Sequence, residues 1–222
     1  MFRGARGPGV STRLVIGAFL VAGVVWGAAP TVASAGTPGG TPALATKLLS
    51  AAEVPAGWKS TFIPTSEVFH GSCFQAARSA LKKGWERTGF TNHKASFDEY
   101  LAPASKSAKW RSLSHNLATC KKFHYSLGKH TLTGVVKTLQ LPPVGTASSA
   151  YTVGVVGNAI FTLVDDVVLF QAHTELGVLT FVTVSKPNPT TVAALARTAV
   201  AKAEGQPVSA PAGSGATTTT TS

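Results

Sequence analysis

Between Thr131 and Val184 the chain is dominated by β-branched and aromatic segments, separated by gaps too short to hold a helix. TLTGVVKTLQLP (131–142) ends at Pro142-Pro143 and a turn containing Gly145, and AYTVGVV (150–156) ends at Gly157-Asn158. AIFTLV (159–164) and DVVLFQA (166–172) flank Asp165-Asp166, either as a tight hairpin or as one long strand with a polar break. GVLTFVTV (177–184) closes the run. Parallel neighbours would each need a crossover of a dozen or more residues, so these strands must pair antiparallel.

The period changes on either side of this block. Cys73, Ala76, Ala77, Ala80 and Leu81 recur at helical spacing from Ser72 to a stop at Gly84. Trp110, Leu113, Leu117 and Cys120 make one stripe of a helix over about 105–122. The stretch 88–102 (TGFTNHKASFDEYLA) reads as one or two strands, and WKSTFI (58–63) as a first strand stopped by Pro64. After Pro187-Asn188-Pro189, residues Val192, Leu195, Ala196, Ala199 and Val200 form the stripe of a last helix. Thr190 or Thr191 is its expected cap and Gly205 its end. The expected fold is α+β: an antiparallel sheet of four to five strands, packed on one face by two central helices and a C-terminal helix. The other face is expected to be partly solvated.

The first 35 residues read as an address rather than as fold. Arg3, Arg6 and Arg13 precede an uncharged run from Leu14 to Ala29, and Pro30 and Ala33-Ser34-Ala35 supply a cleavage pattern with Gly36 as the new start. The competing reading is a retained anchor, but the run spans only about 24 Å as a helix against a hydrocarbon core of about 30 Å. No cysteine lies near the cleavage site, so a lipidated N-terminus is excluded. Residues 36–42 read as a flexible leader, 43–205 as a single sensor-like domain, and 206–222 (QPVSAPAGSGATTTTTS) as a disordered tail. The protein is thus expected to be secreted or envelope-associated, with no stable transmembrane segment after cleavage.

Two cysteines, Cys73 and Cys120, fit an oxidising compartment in which one disulfide joins the two central helix ends. Closing a loop of about fifty residues would contribute about 4 kcal/mol on chain-entropy grounds. Redox catalysis would call for C-x-x-C spacing, and a Cys/His metal site for close ligand pairs; both are absent.

At the domain start stands Leu49-Ser50-Ala51-Ala52-Glu53-Val54-Pro55-Ala56-Gly57-Trp58, followed by Cys73. Further along come Leu117-Ala118-Thr119-Cys120, Pro143-Val144-Gly145-Thr146-Ala147-Ser148 and the closing Ala199-Val200-Ala201-Lys202-Ala203-Glu204. In this order the pieces resemble actinobacterial secreted and lipoprotein-like sensor-domain proteins, which are similar to the extracellular domain of mycobacterial receptor-type serine/threonine kinases. The resemblance implies the α+β layout above and a ligand-binding or sensing role at the envelope, with no catalytic residues to carry over. The chain departs from it by having one disulfide where the kinase-attached domains tend to have two, and Thr146 where an Asp is commoner.

The net charge of +11 belongs to the helical half. Removing Arg3, Arg6 and Arg13 from the 20 Lys+Arg leaves 17 against 9 Asp+Glu, a net of +8. Arg78, Lys82, Lys83, Arg87, Lys106, Lys109, Arg111, Lys121 and Lys122 are the residues expected to meet an anionic envelope polymer or a phospholipid surface. Trp85 and Trp110 are the aromatics best placed by sequence to line a cleft beside them. Nucleic acid is not expected as a partner, because export argues against it and no recognition module is evident. The six histidines are read as surface groups rather than ligands, and no metal or cofactor is expected. Enzyme signatures are missing: no G-x-S-x-G, H-E-x-x-H or G-x-x-x-x-G-K-[ST] occurs. Ser79-Ala80-Leu81-Lys82 matches S-x-x-K without its partner motifs. The function expected is a non-enzymatic binding or sensor-like domain. The alternatives are a structural or accessory envelope protein without a small-molecule ligand, or an unrecognised hydrolase.

Overall fold

In the computed structural model, residues 42–61, 74, 79, 81, 84–127, 130–156, 162–183 and 188–209 are described. They form eight strands: β1 (Lys59–Ser60), β2 (Glu86–Thr91), β3 (Ala95–Pro103), β4 (Lys122–Leu127), β5 (His130–Thr138), β6 (Ala147–Val156), β7 (Thr162–Ala172) and β8 (Glu175–Thr183). Three α-helices are described with them, α1 (Pro42–Ala45), α2 (Ser107–Thr119) and α3 (Pro189–Ala203). A 3-10 turn at Ala104–Lys106 leads into α2. The address segment, Cys73, Arg78, Lys82, Lys83 and His70 lie outside the described residues; of the expected helix 72–84, Ser79 and Leu81 are described as helical.

All eight strands join one antiparallel sheet in the order β1-β2-β3-β8-β7-β6-β5-β4. The order shows how it is built. A meander runs outward from β8 through β7, β6 and β5 to β4, and β3, β2 and β1 extend the other side. β3 and β8 meet over a nine-residue register from Ala95↔Thr183 to Pro103↔Glu175.

The expected four to five strands are therefore corrected to eight. The meander is readable from its β-branched density, β1 lies within the expected first strand 58–63, and β2 and β3 lie over the stretch 88–102 read as one or two strands. β4 (KFHYSL) alternates polar and apolar residues but begins at Lys122, where the expected helix 105–122 ends. The β2–β3 turn is written in Asn92, whose side-chain oxygen accepts from the backbone N–H groups of Lys94 and Ala95 at 2.8 and 2.9 Å. Asp165-Asp166 is no hairpin. Both residues lie inside the eleven-residue β7, and the turn falls at His173-Thr174, where His173 adopts φ 44°.

The solvated second face is a further correction, since both faces of the sheet are covered. On one face, Tyr100, Val178, Val167 and Leu169 pack with Leu113 and Leu117 of α2. On the other, Phe97, Leu101, Leu179 and Phe170 pack with Val192, Leu195, Ala196 and Ala199 of α3, and with Leu48, Leu49 and Val54 of the N-terminal segment. A central strand buried on both sides reads as a continuous apolar run, and β8 is buried at eight of its nine positions. Each such Leu or Phe removed from water contributes about 1.5–3 kcal/mol.

The caps of α3 hold its entry and exit. Asn188, rather than a threonine, is the N-cap, its side chain accepting from Thr190 N–H at 3.0 Å, with Pro189 in the first turn. At the other end Gly205, at φ +77°, donates to Lys202 O and Gln206 donates to Ala201 O, both at 2.9 Å. These two bonds satisfy the last carbonyls in the Schellman pattern.

One close approach fixes the β7–β8 register. Gly177 faces Phe170 across the strands, and a Cβ at Gly177 would fall 1.9 Å from the Phe170 ring, which is fully buried. Gly177→Ala is expected to lower stability by about 1–3 kcal/mol, measured by urea denaturation; a variant as stable as the wild type would show that the ring can move aside.

Candidate functional site: a basic helix flank beside a cavity

Helix α2 places its apolar stripe inward through Leu113 and Leu117 and leaves Lys109, Arg111, Ser112 and His115 exposed. Lys106, half-buried, occupies its N-cap position and provides no side-chain cap; the first turn contains no acidic residue. Cations there oppose the positive end of the helix dipole, at about 0.3–1 kcal/mol each. Lys121 and Lys122 follow the far end, where cations suit the dipole, and Lys121 Nζ donates to Ala118 O at 3.0 Å. The basic flank thus extends over about 20 Å of helix.

What isolates this charge is the fate of the carboxylates. Of nine Asp and Glu in the chain, Glu86, Asp98, Glu99, Asp165, Asp166 and Glu175 are buried. Glu53 and Glu204 are half-buried and face Lys202 and His173. Glu67 lies outside the described residues. Lys59, Lys94, Lys109, Arg111, Lys121, Lys122, Lys137 and Arg197 are all exposed. Among the described residues, then, eight Lys and Arg are exposed and no Asp or Glu is.

The buried carboxylates are held unevenly. Asp98 accepts from Arg87 Nη2 at 2.8 Å, and Arg87 lies 5.0 Å from the centre of the Tyr100 ring. Asp166 accepts from Thr152 Oγ1 at 2.6 Å, and Glu175 meets Lys47 and Thr174. Glu99 accepts from the Leu49 N–H at 2.7 Å, tying the N-terminal segment to the α3 face of β3. Other oxygens are buried without a hydrogen-bond partner: Asp98 Oδ2, Glu99 Oε1, Tyr100 Oη, Asp165 Oδ1 and Thr180 Oγ1.

Burial pushes Glu99 up to about 8, despite the Leu49 N–H and Lys202 pulling it down. Burial likewise raises Asp98 to about 6 against the opposing Arg87. Asp165 is raised well above its usual range by burial, then by Asp166 and Asp98. At Glu53 burial acts upward, but the bonds from Lys202 and Ser50 outweigh it and hold the carboxyl low.

The sequence-expected residues separate under this geometry. Lys109, Arg111, Lys121 and Lys122 are exposed on α2 and just beyond it, with Lys106 half-buried at its start. Arg87 is only 9% exposed, turned to Asp98 rather than outward. Trp85 is 3% exposed in the core of the α2 face, and Trp110 packs half-buried against it. A cavity of about 330 Å³ does open beside the end of α2, but its lining includes Ala118, Leu139, Ser149 and Tyr151 and neither tryptophan. Cys120 is disulfide-bonded, and its expected partner Cys73 lies outside the described residues. The acidic interior had a faint sequence signal, since Asp98-Glu99 between Phe97 and Tyr100 must point to opposite faces of a strand. Among the described residues no group of three His, Cys, Asp or Glu is arranged to hold a metal, and no helix is long and apolar enough to cross a membrane.

No protein-family model matches the chain, and no curated protein matches it. Among solved structures, the extracellular domain of PknH from Mycobacterium tuberculosis is similar with a TM-score of 0.49 and 12% identity, over 72% of this chain and 91% of that one. That is the kind of domain the sequence pieces resemble. No residue role follows from a likeness of this size.

The raised carboxyls give stability a definite pH dependence. Glu99 stays protonated in the folded chain up to about 8 but ionises near 4.5 when unfolded. Between those values the folded state holds the extra proton, so stability falls as pH rises through the window and levels off above it. Asp98 adds the same sign between 3.8 and about 6. The urea midpoint is expected to be higher near pH 5 than near pH 8. Glu99→Gln should flatten the slope by up to about 1.4 kcal/mol per pH unit. A midpoint that climbs over this range contradicts the assignment.

Proposed function

We propose that the chain is an exported, non-catalytic binding domain whose basic α2 flank meets an anionic ligand or envelope surface. The observation that carries this reading is the burial of six carboxylates beneath a surface rich in Lys and Arg. A positive field of this kind attracts anions and raises their encounter rate. Unfavourable cations at the N-terminus of α2 add to it, because stability alone would select acidic residues there. The uncharged lining of the cavity, with Tyr151 its sole titratable side chain, supports binding over catalysis.

Export rests on the Met1–Ala35 pattern and is supported by the oxidised state of Cys120. In this reading, cleavage follows Ala35, Cys73 pairs with Cys120, and Arg78, Lys82 and Lys83 extend the basic flank. Non-reducing mass spectrometry of the secreted protein should find an N-terminus at Gly36 and a Cys73–Cys120 peptide pair. Recovery of intact Met1–Ala35, or of a free Cys120 thiol, contradicts it.

The anionic-surface reading is tested by sedimentation with phosphatidylglycerol and phosphatidylcholine vesicles. The protein is expected to sediment with the anionic vesicles at about 0.01 M salt and to be released near 1 M, as the screening length drops from about 30 to about 3 Å. Lys109→Glu with Arg111→Glu should reduce the bound fraction at low salt. Binding that ignores salt, or its absence at low salt, overturns the reading.

A further inference from the structure

The cavity near the end of α2 opens where the sheet is interrupted. β5 stops at Thr138, whereas its partner β6 begins at Ala147, so the first residues of β6 have β7 on one side and a loop on the other. The loop is fixed at three points. Leu139 N–H donates to Ala150 O at 2.9 Å, Val144 N–H to Ser148 Oγ at 3.1 Å, and Thr146 N–H to Gln171 O at 2.8 Å. Space framed in this way is formed before a ligand arrives, so filling it orders little further backbone. Gln140, Pro142, Pro143 and Ser148 line the cavity and are exposed, which puts its mouth on the loop side.

The lining narrows what can occupy it. No charged side chain contributes, so a carboxylate, phosphate or ammonium inside would lose water without gaining a counter-charge. Neutral hydrogen-bonding groups are present: the hydroxyls of Thr138, Ser148 and Tyr151 and the amide of Gln140. Thr138 and Tyr151 are register partners across β5 and β6, so their side chains share one face. Among the described residues, the side chains of Thr138, Gln140 and Tyr151 make no hydrogen bond. Ser148 Oγ accepts one and keeps its own proton to donate. A hydrocarbon would strip water from these groups and return nothing. Leu141, Pro142 and Val144 add apolar surface to the same lining. The occupant that suits both parts is uncharged, with hydroxyls that each donate and accept and with C–H surface beside them.

Size completes the restriction. The volume of about 330 Å³ is at the small end of ligand sites and has space for on the order of ten water-sized groups, and one hexose has about twelve heavy atoms. We propose that this cavity binds a single neutral sugar ring, its hydroxyls on Thr138, Gln140, Ser148 and Tyr151 and its C–H face against Leu141 and Pro142. The site uses none of the basic flank, so it goes beyond the anionic-surface reading and stands or falls without it.

The test is heteronuclear NMR titration of the secreted protein with the methyl α-pyranosides of glucose, galactose and mannose, at about 0.01 and about 1 M salt. At least one sugar is expected to give saturable shifts at the amides of Thr138, Gln140, Ser148 and Tyr151, with the same affinity at both salts because no charge takes part. Glucuronate, the same kind of ring carrying a carboxylate, should bind at these residues about tenfold more weakly or worse. N-acetylalanine methylamide, a neutral peptide unit, should also bind more weakly than the best sugar. Thr138→Val with Gln140→Leu, both at exposed positions, should weaken that sugar about tenfold. Ala118→Trp, an exposed lining position on α2, blocks the same space and serves if the double variant melts lower than the wild type. The proposal is overturned by the absence of saturable shifts with all three sugars, by shifts confined to other residues, or by full binding in a variant with wild-type melting. Equal or tighter binding of glucuronate or of the peptide unit also overturns it. Sugar binding in a protein that ignores anionic vesicles overturns the surface reading alone, and vesicle binding without sugar binding overturns the cavity site alone.

Discussion

Burial of β3, β8 and β7 on both faces is the constraint on which the other features depend. These strands occupy the middle of the eight-stranded sheet, and their side chains alternate between the α2 core and the α3 core. Once both faces are covered, any polar residue on these strands is drawn inside. Asp98 and Thr180 go to one face and Glu99 to the other, while the adjacent Asp165 and Asp166 of β7 are divided between them. The acidic interior follows directly from the two-sided cover.

That interior carries unequal costs. A buried carboxylate paired with a guanidinium, as Asp98 is with Arg87, recovers part of its desolvation. Glu99 has one backbone N–H and no ion-pair partner in direct contact, so it responds by keeping its proton. As a neutral acid it anchors Leu49, and through that bond the N-terminal segment closes over the α3 face. The Glu53–Lys202 pair fastens the same segment to α3. Two different electrostatic solutions therefore hold one strap: protonation where water is excluded, and an ion pair where the groups are half-buried.

Legibility in the sequence followed the strength of local patterning. The stripe of α3 and the Leu113–Leu117 stripe of α2 were readable because helical period and burial agree there. The meander was readable because its strands are dense in Val, Phe and Leu. β2 and β3 were legible as one or two strands over 88–102, whereas β4 was not expected: KFHYSL alternates polar and apolar residues, but it is only six residues long and follows directly on α2. Cover on both faces was signalled by the nearly unbroken apolar run of 176–182, but such a run does not say which helix lies on which side. For the site, Lys109, Arg111, Lys121 and Lys122 were legible as charge. Arg87 has the same charge but belongs to the interior, a distinction that depends on Asp98 standing one strand away. Tyr151 and the alanines of the cavity carry no local sign of their role, because the space they border is created by a strand ending early.

The cationic surface and the acidic interior are consequently two aspects of one distribution. A chain with 20 Lys+Arg and 9 Asp+Glu could have scattered its carboxylates among the lysines as exposed pairs, each contributing well under about 1 kcal/mol. Here the acids are spent inside the sheet, and Lys109, Arg111 and Lys121 are left with no acidic neighbour in α2. The field outside is stronger for it, and it falls on the end of α2 where the neutral cavity opens.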